Sequence, residues 1–290
     1  MKQDIHAAWG SIFEFNNPMD FFTHNSEYWK SMIYDRQVLV FKGMDFTKVD
    51  FVAFCSNFGD LWSESDYHYS SEAKGMELVD YQSTKIGIVP FSNIRMRRLG
   101  MDKMPWHADI PNRQIKPFPM RTLWMVNNPN PDSGITTWLN IEHGINLLPD
   151  LLKKQISDIK IVQQSWYNAG TEVREFDFIK HHPVTGAASL RLNFYCDPER
   201  NIRDAWIKSV KVCGKLLPPK EILKPYFDFL AAQPELVYTH RWDVFDIVVY
   251  DNWPFVHKRT PLVFDPTLER LMYRTNIDHN FSQYNKERIK

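Results

Sequence analysis

The chain has 290 residues, 43% of them hydrophobic and 14% aromatic, enough to bury a full hydrophobic core. Thirty-five basic residues balance thirty-five acidic ones, so no overall field draws the chain to nucleic acid or to an anionic membrane. Three scattered cysteines without CxxC spacing predict neither a disulfide framework nor a cysteine-rich zinc site. No apolar run has the length of a membrane span or resembles a signal peptide. We therefore expect a cytoplasmic protein with a small-molecule partner and no nucleic-acid or membrane partner.

The secondary structure is predicted in chain order from β-branched and aromatic runs and from helical spacing of apolar residues. The predicted elements are strand 38–41, helix 47–58, strands 87–90 and 122–126, helix 149–156, strand 189–194, helix 224–232, and strands 247–250 and 271–275. Thr47 can cap the first helix, which stops before Gly59. Pro149 suits the first turn of the second.

These elements predict a mostly β fold with flanking helices. The strands lack the alternation with helices that parallel βαβ units require, which favours an antiparallel sandwich or barrel with helices packed outside. A double-sheet jelly roll is one such architecture. Eighteen prolines are spread along the chain, and neither repeats nor a low-complexity linker interrupt it. We therefore predict one domain, residues 1–290.

Residues 104–111 carry a histidine and an aspartate two positions apart, His107 and Asp109. In extended backbone, residues i and i+2 point to the same side, so an imidazole and a carboxylate can address one point. His257 follows the strand predicted at 247–250. Two histidines and one carboxylate form the facial triad that suits iron(II) and O2, although zinc accepts the same ligands. Taken without the other, the His107 and Asp109 pair is more typical of surface residues, and His257 is more typical of a structural or surface histidine.

A second group of residues can bind a carboxylate. Arg270 and Arg274 have an even separation and share one face if their segment is a strand. A planar guanidinium grips a carboxylate with two hydrogen bonds. Thr136, within residues 134–138, can donate to the same group. Alone, these residues are compatible with surface arginines and an ordinary turn.

Together these motifs resemble the TauD/TfdA family of iron(II)- and 2-oxoglutarate-dependent dioxygenases, which includes taurine dioxygenase. The resemblance runs from about residue 30 to residue 276. The motifs occur in family order: Phe-Lys-Gly at 41–43, Phe-Gly-Asp at 58–60, Trp-His-Ala-Asp at 106–109, Gly-Ile-Thr-Thr-Trp at 134–138, His-Pro-Val-Thr-Gly at 182–186, and Asp-Asn at 251–252. The fold implied by this resemblance is the double-stranded β-helix, a cupin-like jelly roll.

The resemblance also implies a catalytic iron(II) held by His107, Asp109 and His257, with 2-oxoglutarate and O2 as co-substrates. By the same resemblance, Arg270 and Thr136 bind 2-oxoglutarate. The implied enzyme oxidises, most simply hydroxylates, a small anionic or amino-acid-like molecule and releases succinate and CO2. The retained carboxylate of Asp109 argues against halogenation. Desaturation, cyclisation and oxidative decarboxylation in a biosynthetic pathway stay open.

The substrate pocket is less well defined. Arg274 matches the position that grips the anionic end of the substrate in the family, but it is the 2-oxoglutarate ligand if the register is shifted. Tyr67, His68 and Lys103 are further candidate substrate-binding residues.

Other basic residues suit solvated surface charge better than a site. They are Arg95, Arg97, Arg98, Lys258 and Arg259, of which the first three can alternatively recruit an acidic substrate. Exposed aromatic residues can support a homo-oligomer. Two other classes of protein use the same motifs: a zinc hydrolase with these three ligands, and a non-catalytic jelly roll that binds a sugar or a metal.

Overall fold

Two β-sheets stacked face to face form the centre of the structure. It is a computed structural model that describes residues 1–61, 88–93, 102–109, 120–164, 173–192 and 207–278. The described strands, in chain order, are β1 (Lys2–Asp4), β2 (Ser11–Glu14), β3 (Val38–Lys42), β4 (Asp60–Leu61), β5 (Val89–Ser92), β6 (Met104–His107), β7 (Met120–Asn127), β8 (Thr136–Asn140), β9 (Ile159–Gln164), β10 (Val173–Asp177), β11 (Ile179–His181), β12 (Ala188–Leu190), β13 (Ile207–Val212), β14 (Lys215–Leu217), β15 (Val237–His240), β16 (Ile247–Tyr250), β17 (Phe255–Arg259) and β18 (Leu271–Asp278).

The larger central sheet has the strand order β1-β2-β3-β16-β7-β18-β4, with β5 also paired to β18. The smaller one has the order β15-β8-β17-β6. Neighbouring strands are antiparallel in both sheets except β2 and β3, which are parallel. Two outlying sheets have the orders β10-β9-β13-β14 and β11-β12. The chain therefore has the predicted mostly β architecture with antiparallel central sheets.

Helices lie outside these sheets. In chain order they are α1 (Ser26–Arg36), α2 (Lys48–Ser56), α3 (Ile141–Ile145), α4 (Asp150–Gln155) and α5 (Pro219–Ala231), with 3-10 turns at Pro18–Thr23, Ile156–Asp158 and Pro234–Leu236. Thr47 caps α2 as predicted, because its hydroxyl accepts from the backbone N–H of Asp50 while the Asp50 carboxylate accepts from the backbone N–H of Thr47. No helix within the described residues combines the length and the apolar character needed to cross a bilayer.

Alternation along the strands divides the core into three clusters. One packs the larger sheet against α1 and α2, and contains Trp29 and Phe54. A second packs the smaller sheet against α5 and the outlying strands, and contains Val256. The third lies between the two central sheets, and contains Trp138 and Phe255. Phe255 and Val256 are adjacent on β17 and belong to different clusters, so every second residue of this strand points into the space between the sheets.

Most predicted elements are present with shifted ends. The strand predicted at 247–250 coincides with β16, and those at 38–41, 122–126 and 271–275 lie inside longer strands. The helix predicted at 224–232 begins earlier, at Pro219, because proline is acceptable in a first helical turn. Helix α1 was not predicted, although Asn25 caps it by accepting from the N–H of Tyr28. The strand predicted at 189–194 is β12, Ala188–Leu190, and residues 193–194 lie outside the described residues.

Candidate active site

Two neighbouring strands of the smaller sheet, β6 and β17, bring the predicted metal ligands together. His257 on β17 pairs in register with His107 on β6 and with Trp138 on β8. Trp138 and Phe255 belong to the cluster between the sheets. By the two-residue alternation of β-strands, Thr136 and His257 lie on the same inward faces as these aromatic residues. The candidate residues therefore point into the space between the central sheets.

His107, Asp109 and His257 form the group that can hold a metal ion. One ligand atom from each lies within 4.8 Å of the others. Nε2 of His257 lies 3.4 Å from Oδ2 of Asp109, and Nε2 of His107 lies 4.0 Å from Oδ1. The two imidazole rings are 4.2 Å apart between centroids. Two nitrogens and one carboxylate converge from one side, which is the donor set of the facial triad.

The histidines have the protonation state that a metal requires. Nδ1 of His107 lies 2.7 Å from the carbonyl oxygen of Pro105, which can only accept, so Nδ1 carries the hydrogen and Nε2 keeps its lone pair. Burial lowers the pKa of His107, and it lowers the pKa of His257 to about 3. Both imidazoles are therefore neutral at physiological pH and available to a metal.

Asp109 is held by two buried side chains. Nη1 of Arg121 lies 3.2 Å from Oδ1, and the hydroxyl of Tyr250 donates to Oδ2 at 2.6 Å. Burial alone would raise the pKa of Asp109, but the charge of Arg121, the two histidines and the Tyr250 hydrogen bond keep it below its usual range. The carboxylate is therefore ionised and oriented.

The loop between β16 and β17 holds the backbone of Asp109. Oδ1 of Asn252 accepts from the N–H of Asp109 at 3.0 Å, and its Nδ2 donates to the Asp109 carbonyl at 2.6 Å. The neighbouring Asp251 accepts from Nε2 of His182 at 2.7 Å. Nδ1 of His182 accepts from the backbone N–H groups of Val184 and Thr185. The Asp-Asn and His-Pro-Val-Thr-Gly motifs therefore position Asp109 through the loop.

Arg270 supplies a buried cation that forms no ion pair with the described residues. Its side chain is 1% exposed, and Nε, Nη1 and Nη2 have no hydrogen-bond partner among the described residues. Burial, and next the charge of Arg259, lower its pKa to about 9, so it stays protonated at neutral pH. An unpaired buried charge is costly, which points to an anionic ligand as the missing partner.

Gly134 lies against that guanidinium. A Cβ at this position would come within 3.2 Å of Nε and 3.3 Å of Nη2 of Arg270, and within 2.5 Å of Cδ2 of Leu262. Thr136, two residues further along, is 7% exposed and faces the same interior. The buried donors and the space kept by a glycine fit the carboxylate of 2-oxoglutarate.

The predicted substrate residues have different surroundings. Arg274 on β18 is 6% exposed, and its guanidinium lies 5.0 Å from the ring centroid of Phe91. Lys103 is exposed in the segment that precedes β6. Tyr67 and His68 lie outside the described residues, as do Arg95, Arg97 and Arg98.

Several residues around the site were missed by the sequence analysis. The surface interpretation of Arg259 is wrong: it is 6% exposed and donates to the carbonyl oxygen of Asp102 at 2.7 Å. Its even separation from His257 was a usable signal, because both occupy one face of β17. Arg121 and Tyr250 carried no sequence signal of their own, since their role depends on which strands become neighbours.

Comparison with known proteins identifies the class. Residues 2–276 match the family described as taurine catabolism dioxygenase TauD, TfdA family, and the chain belongs to it. The (S)-phenoxypropionate/alpha-ketoglutarate-dioxygenase of Sphingobium herbicidovorans is 23% identical over 252 residues, 83% of this chain and 81% of that protein. The alpha-ketoglutarate-dependent 2,4-dichlorophenoxyacetate dioxygenase of a Burkholderia strain is 23% identical over 232 residues, 77% of this chain and 76% of that protein.

Among solved structures, AAD-2 in complex with Mn(II) and N-oxalylglycine has a TM-score of 0.67 at 19% identity, with 97% of each chain covered. The predicted jelly-roll fold is confirmed. The chain is an iron(II)- and 2-oxoglutarate-dependent dioxygenase that uses O2, as predicted, and the zinc hydrolase and non-catalytic alternatives are set aside.

Proposed function

We propose that His107, Asp109 and His257 hold the iron, that Arg270 and Thr136 hold 2-oxoglutarate, and that the enzyme hydroxylates a small anionic molecule. The observation that carries this proposal is the buried guanidinium of Arg270, which has no partner among the described residues and faces the same interior as the triad. When bound, iron and 2-oxoglutarate together supply the oxidising chemistry, which consumes O2 and releases succinate and CO2.

The protein's own residues prepare this site before any ligand enters. Tyr250 and Arg121 hold the carboxylate of Asp109, and the Pro105 carbonyl fixes the tautomer of His107. Arg270 then orients the co-substrate through its distal carboxylate. The aromatic cluster between the sheets excludes water from the reacting centre.

An anionic substrate is supported by Arg274. This buried guanidinium lies beside Phe91, a combination that suits a carboxylate attached to an apolar or aromatic body. Two similar proteins are named for phenoxypropionate and for 2,4-dichlorophenoxyacetate, which are carboxylates on aromatic ethers. Lys103, Tyr67 and His68 stay proposed substrate-binding residues. Desaturation, cyclisation and oxidative decarboxylation would use the same site and differ in the product.

The proposal is tested by replacing Arg270 with alanine. We expect R270A to raise the Kd of 2-oxoglutarate about 100-fold or more, since a charge-assisted bidentate contact is lost, while metal content stays near that of the wild type. Binding is measured by calorimetry with Mn(II) under argon, and turnover as succinate released. R241A is the matched control, because Arg241 is exposed and pairs with Asp132.

Variants of the other site residues distinguish substrate binding, co-substrate binding and metal binding. R274A should leave 2-oxoglutarate binding unchanged and weaken an aryloxy acid substrate, whereas H107A and D109A should lose the metal. An unchanged Kd in R270A together with a raised one in R274A would reverse the assignment of the two arginines. Product analysis by mass spectrometry distinguishes a hydroxylated product from a desaturated, cyclised or decarboxylated one.

We further propose a single domain over residues 1–290, a cytoplasmic location and a homo-oligomer as the state in solution. Light scattering on the purified chain tests the oligomer directly. A mass equal to one chain of 34.4 kDa would contradict it.

A further inference from the structure

Trp242 makes a hydrogen bond that the proposed function does not use. Its indole Nε1–H donates to Oγ1 of Thr136 at 3.0 Å. Trp242 is 0% exposed and packs between the two central sheets. Because an indole N–H can only donate, Thr136 must be the acceptor in this contact.

This contact restricts what the threonine hydroxyl can do. A hydroxyl has one hydrogen to donate and two lone pairs that accept. With Trp242 on the acceptor side, the hydroxyl hydrogen must point away from the indole. Within the part of the chain that the structure describes, this hydroxyl donates no hydrogen bond. Thr136 is therefore prepared to donate to a ligand.

The backbone around Thr136 fixes its position beside Arg270. Thr260 and Ile135 exchange two hydrogen bonds, each of 2.9 Å, and the N–H of Gly134 donates to the Pro261 carbonyl at 3.0 Å. Gly134 itself lies against the Arg270 guanidinium. The pocket thus offers the N–H groups of Arg270 and one oriented O–H, all of which are donors.

We infer that Trp242 is a positioning residue that acts through Thr136: it directs the hydroxyl hydrogen into the co-substrate pocket and so favours an ionised carboxylate over the matching amide. The inference rests on the proposed function, because it requires 2-oxoglutarate to bind at Arg270 and Thr136. An amide would direct its own N–H groups at the pocket's donors. Without the indole N–H, the Thr136 hydroxyl can turn its hydrogen away from the pocket and accept from such an amide with either lone pair.

The test uses the full chain loaded with Mn(II) under argon, and calorimetry with 2-oxoglutarate and with its C5 amide, 2-oxoglutaramate. We expect W242F to raise the Kd of 2-oxoglutarate about tenfold, the factor that corresponds to one hydrogen bond. The preference for the acid over the amide should fall by a similar factor. T136V should weaken 2-oxoglutarate binding as well, and W242F should add nothing in the T136V background.

W124F is the matched control, because Trp124 is also a buried indole but donates to the Met44 carbonyl in the cluster beneath the larger sheet. It should leave both ligand affinities unchanged. An unchanged Kd of 2-oxoglutarate in W242F would overturn the inference. So would a W242F substitution that weakens binding equally in the wild type and in the T136V background, since the tryptophan would then act only by packing. Failure of the wild type to bind 2-oxoglutarate at all would instead contradict the proposed function.

A second measurement covers the case in which W242F does not fold. In the wild type with Zn(II), one of the ten indole N–H resonances should shift when 2-oxoglutarate is added, and the same titration of T136V should leave it unmoved. An indole spectrum that does not respond to the ligand in the wild type would contradict the proposed link.

Discussion

The hydroxyl of Tyr250 donates a 2.6 Å hydrogen bond to Oδ2 of Asp109, and this contact joins the larger sheet to the proposed metal centre. Tyr250 is the last residue of β16, whereas Asp109 follows β6 of the smaller sheet. The tyrosine is fully buried, and burial raises the pKa of its hydroxyl well above the usual value, so it stays protonated and donates. The orientation of the proposed carboxylate ligand thus depends on how the two sheets pack.

The first prediction concerns this hydrogen bond. Y250F keeps the ring and removes the donor, so Oδ2 of Asp109 loses its orientation. We expect the Kd for Mn(II) or iron(II) to rise about tenfold, the lower end of the effect seen for residues that support metal ligands. The measurement is a competition titration with a metal-binding dye.

The control is Y226F, which also removes a buried hydroxyl but one that donates to the Leu152 carbonyl on the far side of the smaller sheet. Metal affinity should not change in this variant. Equal metal affinities in Y250F and the wild type would mean that Arg121 alone orients the carboxylate.

The second prediction concerns Asn252, which bonds both the N–H and the carbonyl of Asp109. N252A leaves two backbone groups unsatisfied, so we expect a loss of about 2 to 4 kcal/mol in the free energy of unfolding, together with weaker metal binding. Urea denaturation with and without Mn(II) measures both effects. N130A removes two exposed hydrogen bonds, one to the Val263 carbonyl and one from the backbone N–H of Asp132, and it should lose much less. A similar loss in both variants would argue against a special role for Asn252.

The sequence grouped the three candidate metal ligands that the structure brings together, but it did not reveal the residues that surround them. Two-residue alternation sufficed to group His107 with Asp109, and the same rule applied to His257 would have found Arg259. Arg121 and Tyr250 reach Asp109 from other strands, which become its neighbours only when the sheets pack, so no local pattern reveals them. Helix α1 was missed for a different reason. Its buried residues are only Trp29, Ile33 and Arg36, so the apolar residues do not recur at clear helical spacing.

The third prediction concerns the space that Gly134 keeps for Arg270. G134A adds a Cβ that would meet Leu262 and the guanidinium, and it places alanine at φ +65°. We expect the Kd of 2-oxoglutarate to rise about tenfold or more because the guanidinium is displaced. The strained backbone should cost about 1 kcal/mol of stability in addition.

G186A separates these two effects. Gly186 has a similar φ of +75°, but a Cβ there meets nothing within 4 Å. It should show the backbone cost in urea denaturation and bind 2-oxoglutarate like the wild type. If both variants bound the co-substrate equally well, the pocket would not depend on the missing Cβ.

The last prediction concerns Glu142 on α3, whose Oε1 accepts from Nε2 of Gln37 at 2.5 Å. Burial, and next the charge of Asp251, raise its pKa from 4.5 to about 7, while His182, Gln37 and Lys180 oppose the shift. The folded chain therefore holds a proton that the unfolded chain releases between about pH 4.5 and 7. Its contribution to the free energy of unfolding is complete below pH 4.5 and is lost as the pH rises through 7.

The variant E142Q removes this titration and keeps an acceptor for Gln37. We expect the free energy of unfolding of E142Q, relative to the wild type, to rise between pH 5 and 7.5 by at most about 3 kcal/mol. Urea denaturation at several pH values measures the difference in the free energy of unfolding between E142Q and the wild type. The titration of groups that both chains share cancels in this difference. E175Q, which removes an exposed carboxylate paired with Lys211, controls for the change in net charge. A difference between E142Q and the wild type that stays constant over this range would show that Glu142 is ionised in the folded chain throughout.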